Sequence, residues 1–142
     1  MLEVKLPVGA AETARKVTGG PGGVKKVRAS YAGCVAIPVA VLGAGNFGTC
    51  LALLCAREHD VTIWARSPEL ADAINRERRN PAYLSHIGIP EGVRATADLA
   101  EALADRELVI GAIPSHGLRE VMVRAAPHLP PGAILVSTVK GI

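Results

Sequence analysis

Gly43, Gly45 and Gly48 stand in Val39-Ala-Val-Leu-Gly-Ala-Gly-Asn-Phe-Gly48, directly behind four apolar residues. Each glycine at this spacing meets a separate steric demand. Gly43 turns the chain out of a strand. Gly45, with no Cβ, lets the backbone come close to an anion. Gly48 lets a following helix pack tightly on that strand. The helix start then offers free N–H groups and the positive end of its dipole. Together these are the elements of a turn that holds the pyrophosphate of a dinucleotide.

Arg66 is the second residue with chemistry to offer. A carboxylate after the second strand would bind the ribose 2′-hydroxyl of NAD. Here Trp64-Ala-Arg-Ser67 has none, and the first carboxylate is Glu69. A guanidinium makes charge-assisted hydrogen bonds to phosphate, so Arg66 suits a 2′-phosphate and favours NADPH, or tolerance of both cofactors. Trp64 reads as packing rather than as an adenine platform. Ser115 beside His116 is not read as a nucleophile and its base, because neighbours at a helix start point apart and no third group orients them. Ser115 is expected to cap a helix, with His116 in its first turn. Cys34, Cys50 and Cys55 have no metal-ligand spacing, and Cys50 and Cys55 fall within an apolar pattern. Reduced, buried thiols in a cytoplasmic protein are expected, with no metal site.

Periodicity assigns the regular elements that carry these residues. Val39–Leu42 reads as a strand. Residues 46–58 read as a helix with Phe47, Leu51, Leu54 and Cys55 on its apolar face. Residues 61–65 read as a strand. Ser67 caps a helix with Pro68 in first position, stopped by Asn80-Pro81. A loop to Gly92 contains Tyr83. Residues 93–95 read as a short strand, and residues 98–104 as a helix capped by Thr96. Residues 108–113 are a continuous apolar strand, residues 116–126 a helix, and residues 133–137 a last strand. This alternation, with strands uniformly apolar, predicts a Rossmann-type doubly wound parallel α/β sheet covered on both faces.

Composition sets the limits. Residues 1–35 carry six Lys/Arg and two Glu around Gly19-Gly-Pro-Gly-Gly23, while the rest is near neutral. The division expected is a flexible basic leader over 1–35 and a dinucleotide-binding domain over 36–142. The leader reads as an extension foreign to the fold, with a tether for an acidic partner as the alternative. No nucleic-acid surface, membrane insertion or signal peptide is expected.

Five segments in order carry a resemblance: Gly43-Ala-Gly-Asn-Phe-Gly-Thr49, Trp64-Ala-Arg-Ser-Pro-Glu69, Arg79-Asn-Pro-Ala-Tyr-Leu84, Ile113-Pro-Ser-His116 and Val136-Ser-Thr-Val-Lys-Gly-Ile142. From Val39 to Ile142 the chain resembles the bacterial NAD(P)-dependent glycerol-3-phosphate dehydrogenases. The resemblance implies interconversion of dihydroxyacetone phosphate and sn-glycerol 3-phosphate for phospholipid synthesis, with a homodimer possible for the full enzyme. It implies cofactor contacts at Asn46, Phe47, Arg66 and Tyr83, and a contact of Lys140 with both cofactor and substrate. A lysine at a strand's carboxyl edge can attract a phosphate or a carbonyl. The family continues into a helical second domain that holds the catalytic lysine and most substrate contacts. That domain is expected to be absent here, leaving no catalytic residue in a fragment that binds cofactor without efficient turnover. Two other readings stand beside this one. One is a non-catalytic dinucleotide-sensing module; the other is a domain of a hydroxyacid, hydroxyacyl-CoA or 6-phosphogluconate dehydrogenase.

Overall fold

The computed structural model describes residues 35–139; residues 1–34 of the leader, Cys34 among them, and Lys140 lie outside the described residues. Five strands, β1 (Pro38–Leu42), β2 (Asp60–Trp64), β3 (Val93–Thr96), β4 (Leu108–Gly111) and β5 (Ile134–Ser137), form one sheet. Their order is β3-β2-β1-β4-β5 and every pairing is parallel. The helices between them are α1 (Asn46–Cys55), α2 (Pro68–Glu77), α3 (Leu99–Leu103) and α4 (Ser115–Ala125).

Alternation along the strands divides the core in two. Val39, Val41, Val61 and Ile63 face α1 and α2, meeting Ala52, Ala71 and Ile74. Ala40, Leu42, Trp64 and Val109 face the other way and meet Leu103, Val121 and Ala125 of α3 and α4. The sheet is doubly wound, as expected. Its order reverses between β1 and β4, so their carboxyl ends open a crevice where ligands of such sheets bind.

The elements depart from the sequence reading in local detail. α1 does not bury Phe47 and Leu54, which are both 58% exposed. Its buried residues are Gly48, Thr49 and Ala52. The close approach at Gly48 turns small residues inward, and Leu51 and Cys55 pack only partly against the core. Cys50 is exposed rather than buried for the same reason. α2 ends before Asn80: Arg78 takes the left-handed conformation (φ 52°) as its C-cap. α3 is capped by Asp98, whose carboxylate accepts from the N–H groups of Ala100 and Glu101. Thr96 cannot cap it because β3 runs through Thr96; its hydroxyl accepts instead from the Asp98 N–H at 3.1 Å. Pro114, not Ser115, occupies the N-cap of α4, which therefore has no side-chain cap. β5 is not covered on both faces: Ile134, Leu135 and Val136 are all exposed.

Candidate dinucleotide site

The cleft is built from the two segments that leave β1 and β4. Leu42 hands the chain to Gly43, whose φ of +119° suits only glycine. A Cβ there would also lie 2.5 Å from the Ala112 carbonyl oxygen, on the segment leaving β4. Gly43 N–H donates to Trp64 O at 3.0 Å, which ties the turn to the end of β2. A Cβ on Gly48 would stand 1.9 Å from Gly43 O, so only glycine lets α1 begin so close to the turn.

The N-cap of α1 is Gly45, which supplies no side-chain acceptor. The Thr49 N–H reaches Gly45 O at 2.9 Å, leaving the N–H groups of the first turn for another acceptor. α4 begins across the same opening, likewise without a side-chain cap. Two helix N-termini, each with a positive dipole end, therefore border one cleft of about 740 Å3.

Gly43, Gly45, Asn46, Phe47, Gly48, Arg66 and Tyr83 all line this cleft. The fold thus brings together every sequence-predicted site residue except Lys140, which lies outside the described residues. Thr138, two positions before it, also lines the cleft, and its hydroxyl donates to Gly111 O at 2.9 Å. Asn46, Phe47 and Tyr83 are exposed at the opening. Trp64 is 2% exposed and donates from Nε1 to Ala97 O at 2.9 Å, so packing and a hydrogen bond hold it in the core.

Arg66 is exposed just past β2, and its Nη2 lies 3.2 Å from where a Gly117 Cβ would sit. The guanidinium therefore rests against the first turn of α4. Among the described residues no carboxylate lies within ion-pair distance of it. Glu69 accepts a hydrogen bond from Ser67 Oγ. That bond, and a smaller one from its own backbone N–H, holds its carboxyl below the usual carboxylate range. Burial pushes the Cys55 thiol up, which leaves it a poor nucleophile at neutral pH. No group of three or more potential metal-ligating His, Cys, Asp or Glu residues occurs among the described residues.

Asn80 and Thr49 do not line the cleft but lie buried directly behind its glycine turn. Asn80 is fully buried, and its Nδ2 donates to Ala44 O at 2.8 Å and to Thr49 Oγ1 at 2.9 Å. Asn80 ahead of Pro81 reads as a helix stop; its amide instead reaches back to the glycine turn. The only sequence signal was a polar residue directly behind the third glycine, on the helix face that must meet the sheet.

A dinucleotide fits this cleft on the structure's own terms. A Cβ at Gly45 would meet no protein atom within 4 Å and would extend into open space beside the uncapped N-terminus of α1. The absence of a side chain there leaves room for a pyrophosphate against the first-turn N–H groups. Arg66 supplies a second, cationic group on the α4 side.

Comparisons agree with this geometry. Residues 38–142 match the family described as NAD-dependent glycerol-3-phosphate dehydrogenase N-terminus. A glycerol-3-phosphate dehydrogenase [NAD(P)+] of Myxococcus xanthus is 47% identical over 103 residues, covering 72% of this chain and 31% of that protein. One of Streptomyces griseus is 43% identical over 107 residues, covering 75% and 32% respectively. The crystal structure of glycerol-3-phosphate dehydrogenase from Coxiella burnetii superposes with a TM-score of 0.71 at 31% identity, covering 75% of this chain and 33% of that one. The chain thus spans about a third of the length of the curated relatives it matches.

Proposed function

This chain belongs to the NAD-dependent glycerol-3-phosphate dehydrogenase N-terminal family, and from that premise we propose that it is the cofactor-binding part of such an enzyme. The reaction is the interconversion of dihydroxyacetone phosphate and sn-glycerol 3-phosphate, feeding phospholipid synthesis. Residues 36–142 form the dinucleotide-binding domain. The bound cofactor is NADP or NAD, with NADPH favoured. The whole enzyme acts in the cytoplasm as a homodimer.

One observation supports this reading most. Two uncapped helix N-termini and the Arg66 guanidinium border the same cleft, at the point where the strand order reverses. The first-turn N–H groups of α1 take the pyrophosphate, with Gly43, Gly45 and Gly48 keeping the space clear. Asn46 and Phe47 border the cofactor at the mouth, and Tyr83 forms the facing wall. Arg66 takes the 2′-phosphate. Lys140 draws the substrate phosphate or carbonyl toward the nicotinamide. When bound, the nicotinamide supplies the hydride. The chain's own groups bind and orient; none of its described residues is assigned the proton transfer that the reaction also needs.

The experiment is an assay of the protein at the full length of its relatives, with dihydroxyacetone phosphate and either NADPH or NADH. Substrate-dependent loss of absorbance at the reduced-nicotinamide band is expected. A full-length protein that oxidises neither cofactor with this substrate, but oxidises one with a 2-oxoacid or reduces NADP with 6-phosphogluconate, would overturn the substrate assignment.

A further inference from the structure

We propose that Asn80 is a positioning residue of the dinucleotide site, and that its side-chain amide locks the glycine turn to the Tyr83 loop. The inference rests on the dinucleotide reading above and deepens it.

Asn80 and Thr49 are both 0% exposed. Asn80 Nδ2 uses both its protons, one on Ala44 O at 2.8 Å and one on Thr49 Oγ1 at 2.9 Å. Thr49 Oγ1 reaches the same Ala44 O at 3.5 Å. On its other side, Asn80 Oδ1 accepts from the Ala82 N–H at 3.2 Å. The Asn80 amide, Thr49 Oγ1 and Ala44 O form a buried polar cluster, where each lost partner costs desolvation without return, and the Ala82 N–H joins it at its partly buried edge.

Ala44 sits between Gly43 and Gly45. No described peptide bond is cis, and in a trans peptide the C=O and the following N–H point in opposite directions. Anchoring Ala44 O inward therefore turns the Gly45 N–H away from the core. It also keeps a partial negative charge out of the place a pyrophosphate would take. On the Oδ1 side, the bond to Ala82 fixes the backbone one residue before Tyr83, whose side chain lines the cleft. A single buried amide thus sets both the anion-binding turn and the wall facing it.

The test is calorimetric titration of NADPH and of NADH into the 142-residue chain and five variants, four single and one double. Asn80→Ala and Thr49→Val, which is isosteric but lacks the acceptor, should each weaken binding about tenfold. Thr49→Ser keeps the hydroxyl and should bind within about threefold of the parent. Far-UV circular dichroism establishes which variants are folded; if Asn80→Ala is not, the Val and Ser pair at position 49 decides. Tyr83→Ala provides the readout that mere packing would not move: its loss of affinity should shrink in the Asn80→Ala background. Folded Asn80→Ala and Thr49→Val chains that bind like the parent overturn the inference alone. Additive losses with Tyr83→Ala overturn the link to the loop. A folded parent that binds neither dinucleotide overturns the functional reading itself, and this inference with it.

Discussion

Steric and polar demands at single residues decide what the cleft admits. Gly48 has the sharpest one, since any Cβ would collide with Gly43 O. Gly48→Ala must push α1 away from the turn. We expect it to cost about 1–3 kcal/mol of stability, measured by urea unfolding, and to abolish dinucleotide binding. An alanine variant with unchanged stability and affinity would contradict the close packing of α1 on the turn. The glycines and Arg66 were legible in the sequence because their demands are local: a left-handed turn, a near contact, a cation placed after a strand. Asn80 was not, because its partners lie 36 and 31 residues away in the chain. Only the folded sheet brings the end of α2 beside the start of α1.

Elements were legible where one local signal dominated. Ser67 before Pro68 marks the start of α2, and Ser67 Oγ does accept from the Leu70 N–H at 3.2 Å. Caps failed where a neighbour competed. Thr96 precedes α3 closely enough to cap it, but the ladder with Trp64 claims its backbone, and Asp98 takes the cap. Asp98→Ala is therefore expected to destabilise the domain by about 1 kcal/mol. Thr96→Ser, which retains the hydroxyl, should cost less, and chemical denaturation of both variants checks the order. The apolar stripe of α1 was misplaced for a related reason. Periodicity counts large side chains, whereas a helix drawn close to a sheet at Gly48 buries small ones.

At the scale of the whole molecule, parallel order and double winding followed from the alternation of apolar strands and helices. The fate of the two sheet edges did not, because it depends on what lies beside them in space. On the β3 edge, the Asn75 amide bonds to both Ala95 O (2.7 Å) and Ala95 N–H (2.8 Å), and so blunts the strand. The β5 edge carries exposed Ile134, Leu135 and Val136. An open apolar edge invites pairing between chains. The 142-residue chain should therefore show concentration-dependent association by light scattering, and Ile134→Lys with Val136→Lys should reduce it. Unchanged scattering in that double variant would place the association elsewhere. The dinucleotide cleft lies at the carboxyl ends of the strands, where two helix N-termini and Arg66 meet. Its most direct test is calorimetric titration of NADPH and NADH into the parent chain and Arg66→Asp. The parent is expected to bind both cofactors. The variant should lose NADPH affinity by about 10- to 100-fold, the size of a charged hydrogen-bond contribution, while NADH affinity changes little. Equal effects on the two cofactors would contradict 2′-phosphate binding at Arg66, and no binding of either by the folded parent would contradict the dinucleotide site itself.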